Sequence, residues 1–297
     1  MGDGAQLQAA AAGTSVGTTG MTLVGNADRD GTINSDLAFW GNLAYAGNYD
    51  GFRILDISGP QPQLIKDQRC RGPQNDVSVY EMGGKRFLFQ SIDSGQTAED
   101  CSSADAPIVN GGRVGYEGVR VFDVTDPTAP KFIDMIQTAC GSHTHTIVPA
   151  GEKAYIYVSS YPLGSGITPP GVVGPGDYRA CTAPHQKISI IEVSAPGGTF
   201  ASNLSEEPLS SDTTMALGFQ ACHDIQVYMP KKVAVASCAG DTQIWSIATR
   251  RTRPRATARR IRISAARPRP TSSSSCTARS SAGTERSSER WTRPAAV

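Results

Sequence analysis

Three of the four histidines in this 297-residue chain, His143, His145 and His223, stand at the openings of alternating, β-branched runs. Three acids, Asp36, Asp76 and Asp224, stand at comparable places in other such runs. Imidazoles with carboxylates are a ligand set for zinc, iron or copper, and a metal left with an open coordination position supports hydrolysis or oxidation. His143 and His145 are two residues apart, so on a strand they face the same side. If the runs lie side by side, Asp36, Asp76, His145 and Asp224 fall at one level and Ser35, Asn75, Thr144 and His223 at the one before. The same residues suit a plainer role, in which Asp and His at strand starts hydrogen-bond neighbouring backbone and line a wet channel. His185 precedes a strand and is expected at the surface.

A second cation site is suggested by NADRDGTINSD. Asn26, Asp28, Asp30, Gly31 and Asn34 match positions 1, 3, 5, 6 and 9 of a calcium loop. Position 12 is Leu37 where a bidentate acid is needed, with Asp36 one place early, so a polar turn is the alternative.

The elements that must position these side chains repeat. GVRVFDVTDPTAP, residues 118 to 130, reads as a β-branched strand stopped by Asp126 and Pro127. Without gaps, GFRILDISGPQPQ from Gly51 and KISIIEVSAPGGT from Lys187 match it, with Asp56, Asp123 and Glu192 aligned and Pro60, Pro127 and Pro196 aligned. DTQIWSIA from Asp241 is a fourth copy. The spacings of 67, 69 and 54 residues suit a small sheet with variable loops. Ahead of each copy lie two alternating strands around a Gly- or Pro-containing turn: SDLAFWGNLAYAGNYD, NDVSVYEMGGKRFLFQSID, THTIVPAGEKAYIYVSSY and HDIQVYMPKKVAVASC. Four short antiparallel strands per repeat is the composition of a propeller blade. The fold class is therefore all-β, a β-propeller built of four-stranded antiparallel blades, incomplete, with about four blades recognisable over residues 21–248. Residues 1–20 are small and polar and are expected to be disordered, while MTLVG reads as one short strand. The insertions at 91–117 and 162–181 are expected to be surface loops, the usual carriers of recognition.

The formal charge of +1 hides a division. Residues 249–297 carry 13 arginines, no lysine and only Glu285 and Glu289, a balance of +11; the 15 basic and 25 acidic side chains of 1–248 leave −10. The acidic part offers no basic face to nucleic acid, and no run is long enough for a membrane span. The basic stretch begins inside the fourth repeat, one residue before its proline is due. Read with a one-base offset, Ala248 to Arg253 permits Asp-Pro-Ala-Asn-Pro, which restores the turn on time. From Cys276 onward the same offset permits another strand, turn and strand. We therefore expect 249–297 to be out of frame and unstructured; a genuine basic tail is the alternative.

Seven cysteines include Cys276 in that stretch, leaving an even set of six. Cys222 and Cys238 lie at the open end of a hairpin turning at Pro230 and Lys231, and Cys70 and Cys101 flank one turning at Gly83 and Gly84; Cys140 and Cys181 would remain for each other. The opening MGDGAQLQAAAAGTSVG has no basic flank and no apolar core, so an exported protein would need a signal upstream. The even cysteine set favours export.

At FRILDIS, VRVFDVTDP and ISIIEVS the chain resembles the LVIVD-repeat family, bacterial secreted or surface β-propellers named for this hydrophobic strand ending in Asp. The likeness covers residues 21–248, with departures at Gly59, Ala195 and Ser246. It implies an extracellular or cell-surface propeller. The functional expectation is a binding scaffold for a protein or carbohydrate partner. The alternative is a metal-dependent hydrolase or oxidoreductase using His143, His145, His223, Asp224, Asp36 and Asp76.

Overall fold

The computed structural model describes residues 25–27, 29, 31–109, 112–113, 115–162, 185–209 and 221–248. Apart from two single-turn segments, Pro196–Gly198 and Met229–Lys231, their regular structure is β-strand. The first sheet is β1 (Asn34–Trp40), β2 (Leu43–Asn48), β3 (Gly51–Asp56) and β4 (Gln63–Arg69), hydrogen-bonded in that order and antiparallel throughout. The second repeats this order with β5 (Gln74–Met82) and β6 (Lys85–Gln96), then, after the ribbon of β7 (Ile108–Val109) and β8 (Gly112–Arg113), β9 (Tyr116–Asp123) and β10 (Lys131–Gln137). The third is β11 (Thr144–Pro149), β12 (Lys153–Ser159), β13 (Lys187–Ser194) and β14 (Ala201–Pro208). The fourth has three strands, β15 (Cys222–Tyr228), β16 (Val233–Cys238) and β17 (Asp241–Ser246). The all-β, four-sheet reading therefore holds among the described residues. Residues 1–20, the MTLV segment, Asp28 and Asp30 of the calcium-like loop, most of the 162–181 insertion and the arginine-rich 249–297 lie outside them.

The acids that defined the repeat all lie at or near the end of the third strand of their sheet: Asp56 and Asp123 close theirs, and Glu192 stands two residues short of the end of β13. Asp56 and Asp123 each accept the N–H two residues on, from Ser58 at 2.8 Å and Thr125 at 3.0 Å. This Asx turn is why a short acid precedes each Pro-containing bend. Glu192 is one methylene longer and instead pairs with Lys153 at 2.6 Å.

Because alternate strand residues face opposite sides, each of the two middle sheets packs on two neighbours and each outer sheet on one. Tyr45, Phe52 and Ile54 of sheet 1 meet Val77, Leu88 and Phe122 of sheet 2. Phe87, Phe89, Val119 and Val121 on the other face of sheet 2 meet Ile156, Val158 and Ile191 of sheet 3. Tyr157, Ile188 and Ile190 then meet Ile225, Ala234 and Ala236 of sheet 4. Phe122 is edge-on to Phe52 at 5.1 Å and to Phe132 at 5.9 Å, contacts worth about 0.5–1.5 kcal/mol each beyond their burial. The outer faces of the first and last sheets have no such partner sheet among the described residues. Leu37 and Phe39 are exposed on one, Val235 and Ile244 on the other.

Cys70 is bonded to Cys101 and Cys222 to Cys238, as the hairpins require. The expected Cys140–Cys181 pair involves Cys181, outside the described residues. The insertion at 91–117 is more ordered than a surface loop. Strand β6 runs on to Gln96, Cys101 ties the segment to the end of β4, and Ala106 is buried.

The ladders also correct the alignment of the strand openings. Leu37 pairs with Ala46 and through it with Arg53; Val77 with Gln90 and Arg120; Ile225 with Ala236 and Gln243. In sheet 3 the chain of partners ending at the equivalent Ser189 is Val158 and His145. His145 therefore belongs with Leu37, Val77 and Ile225, and it is Thr144 that matches Asp36, Asp76 and Asp224. His143 then matches Ser35, Asn75 and His223. The opening strands of sheets 1, 2 and 4 each carry a one-residue register shift there and that of sheet 3 does not, so counting along the chain could not reveal the slip.

Candidate functional site

The first strand of each sheet lies at its edge, and its N-terminal end meets the first strand of the next sheet. A carboxylate makes the join twice at the same repeat position. Asp36 Oδ2 accepts Val77 N–H at 3.2 Å, and Asp76 Oδ2 accepts His145 N–H at 2.7 Å. At the third join Thr144 replaces the acid, and its hydroxyl donates to the carbonyl of His223 at 2.8 Å.

Burial alone would push Asp76 up, but the His145 ring and N–H outweigh it and hold this carboxyl below the usual range. Asp36 is raised, first by burial and then by the charge of Asp76. Asn34, Ser35, Asp36, Tyr49, Gln74 and Asp76, with Ile33, line an open polar depression of about 290 Å³ beside this pair.

His145 is committed to structure. It is 7% exposed, its Nε2 meets Ser78 Oγ, and its Nδ1 lies 2.8 Å from Ser91 Oγ and 3.1 Å from Asp76 Oδ2. It and His143 have different partners and do not converge. His143 precedes β11 and turns to a separate group. Its Nδ1 is 2.7 Å from Asp93 Oδ2, and its Nε2 is 2.8 Å from the Tyr161 hydroxyl, 3.3 Å from His223 Nε2 and 3.5 Å from Gln74 Nε2. The ring of Tyr161 lies over His223, centroids 6.0 Å apart at 22°.

Of the six expected metal ligands, then, the structure brings His143 and His223 together. Asp36 and Asp76 sit as a pair at the neighbouring joins, and Asp224 accepts its neighbour Ile225 N–H at 2.7 Å. Among the described residues no group of three or more His, Cys, Asp and Glu side chains is arranged to hold a metal.

Burial raises Asp93, with His143 working against it, and pushes Tyr161 up to about 12, aided by the charge of Asp93. Beside them, burial and Asp93 push half-buried Glu117 up to about 8. The backbone is unusual too. Gln74 and Asn75 are consecutive left-handed residues, at φ 75° and 55°, a conformation that costs on the order of 1 kcal/mol or more for a residue like Gln. Asn75 is held there because its amide donates to the carbonyls of Asn48 and Gly51.

Asp93, Tyr161, Tyr49 and Gln74 were not among the sequence candidates. A signal existed for three of them. In a hairpin the end of the second strand lies beside the start of the first; Tyr49 and Tyr161 stand just beyond such ends, and Asp93 just past Ile92, the last residue of β6 paired with β5. His185 corrects an expectation outright. It is 2% exposed, with Nε2 3.0 Å from Ser160 Oγ and Nδ1 3.6 Å from Cys140 Sγ, and burial drives its pKa down to about 4. A residue just before a strand is on the surface only if nothing packs across it, and here Cys140 and Ser160 do.

No family model matches the chain. No curated protein matches it either. Among solved structures, the computationally designed Ika4 protein aligns with 74% of this chain and 94% of its own, at 12% identity and a TM-score of 0.35.

Proposed function

We propose that the four sheets are blades of an incomplete β-propeller of the LVIVD-repeat type, serving outside the cell as a binding scaffold whose ligand is a carbohydrate. Two features support the architecture: the strand order recurs from sheet to sheet, and the Asp36 and Asp76 joins recur at one repeat position. The exposed Leu37, Phe39, Val235 and Ile244 lie on faces that a further blade would cover. The two cysteine pairs are compatible with an oxidising compartment. No helix among the described residues is long and apolar enough to cross a membrane.

The observation that carries the ligand class is the depression between sheets 1 and 2. Its volume suits a single sugar ring. Asp36 and Asp76 accept hydrogen bonds, Asn34 and Gln74 both donate and accept, and Tyr49 adds an apolar ring face with a polar tip. Sugar hydroxyls need this mixture, each being donor and acceptor at once. The test is calorimetric titration of the full chain with a panel of neutral hexoses and short oligosaccharides. Saturable binding that Tyr49→Ala and Asp36→Asn each abolish is the expected result. Binding unaffected by both substitutions, or no binding across the panel, would overturn the carbohydrate reading.

A further inference from the structure

We infer that His143 and His223 form the protein-borne half of a divalent transition-metal site, with the Tyr161 oxygen at a third position and Asp93 as the positioning residue behind His143. The site borders the sugar depression through Gln74, but none of its ligands lines that depression and the inference does not depend on it. Its first support is spacing. The two Nε2 atoms are 3.3 Å apart, and two imidazole nitrogens bound 2.0–2.1 Å from a tetrahedral zinc are separated by about 3.3–3.4 Å. The rings already stand where one ion could join them.

A 3.3 Å approach could equally be an N–H···N hydrogen bond, and the partners decide between the two. Asp93 at 2.7 Å accepts the Nδ1 proton of His143, which assigns the tautomer and leaves Nε2 with a lone pair and no proton. That one lone pair is approached by the Tyr161 hydroxyl at 2.8 Å, His223 Nε2 at 3.3 Å and the Gln74 amide at 3.5 Å. A single in-plane lone pair serves one good donor, whereas a cation would take up the two imidazole nitrogens and the phenol oxygen together, with the Gln74 amide outside the ligand set. A carboxylate on the far nitrogen of a ligating histidine is also the usual outer support of a metal site, since it fixes the ring and raises its basicity.

The surroundings fit as well. Gln74 reaches the group from left-handed backbone, and such strain concentrates at sites of function. Two imidazoles with one phenol oxygen suit zinc, copper(II) or nickel, leaving at least one position for water or a ligand donor atom. His145 takes no part, because Ser78, Ser91 and Asp76 already occupy its nitrogens.

The experiment strips the full chain with a chelator and titrates it with zinc by calorimetry, and with cobalt(II) by visible absorption. One ion per chain is expected, with tetrahedral cobalt bands. His223→Ala, a change at an exposed residue that leaves the fold intact, should weaken binding on the order of 100-fold or more, and Asp93→Asn by about 10–100-fold, the range for outer partners. Asp224→Asn, outside the set, should leave affinity unchanged. Absence of stoichiometric binding, His223→Ala binding as tightly as the unaltered chain, or an equal loss in Asp224→Asn would each overturn the assignment.

Discussion

Sheets 1 and 2 and sheets 3 and 4 occupy the same repeat positions with different chemistry. In the first half, Ser35 and Asn75 turn to backbone carbonyls, and Asp36 and Asp76 clasp the N–H of the next sheet. Deeper in these sheets, Arg53 and Arg120 are buried at matching places. Arg120 donates to the carbonyls of Arg71, Ala98 and Glu99 and to Ser103 Oγ, and burial lowers its pKa to about 10. In the second half those positions hold His143 and His223, Thr144 and Asp224, and the neutral Ser189 and Gln243; the acid is kept in sheet 4 but replaced in sheet 3. A repeat position thus carries a geometric role, reaching the next sheet or filling the sheet's interior. The side chain placed there decides whether that reach is spent on stability or left open for a ligand.

The largest expected effect separates the halves by energy. Arg120→Ala should cost about 3–5 kcal/mol, because it strands several buried carbonyls that the guanidinium satisfies, whereas Ser189→Ala should stay within about 1 kcal/mol. Urea midpoints measure both, and equal losses would break the comparison. Next is an acid effect in the second half. His185 is buried, with a folded pKa of about 4 below its ordinary 6.5, so the unfolded chain binds the extra proton first. Stability is then full above about pH 6.5 and falls by roughly 3 kcal/mol as the pH drops towards 4. His185→Gln should flatten that slope in pH-dependent melts.

A smaller effect tests the joins. Asp76→Asn should cost about 1–3 kcal/mol through the lost charge-assisted bonds to His145, and Thr144→Val about 1 kcal/mol through one neutral bond. If Thr144→Val costs as much as Asp76→Asn, the third join is not the weaker one. One further pH effect has the opposite sign. Glu117 has its folded pKa raised to about 8, so its contribution is complete below about pH 4.5 and is lost as the pH rises towards 8. Glu117→Gln should therefore raise the melting temperature at pH 8 and leave it unchanged at pH 4.5.

Much of the strand order was legible in the sequence. Apolar alternation has period two and turn residues are local, so the first three strands of every sheet and the Asx turns at Asp56 and Asp123 follow from short stretches of chain. The cysteine pairs followed as well, since hairpin geometry sets Cys222 opposite Cys238. The site was only half legible. Pattern matching paired His145 with acids because both are polar, yet the ladder places it among Leu37, Val77 and Ile225, as a buried imidazole satisfied by two serines and an aspartate. Asp93 and Tyr161 lie 50 and 18 residues from His143, and nothing in local composition announces such a meeting.

Strand periodicity and turn chemistry, which act over a few residues, are what the chain alone determined: an all-β molecule of repeated small sheets. Tertiary structure decided which polar side chains became neighbours. That depends on a one-residue bulge present in three opening strands and absent from the fourth, and on how the end of one sheet's second strand meets the start of the next sheet. Register of this kind is a cooperative outcome of packing two faces at once, and no segment carries it by itself.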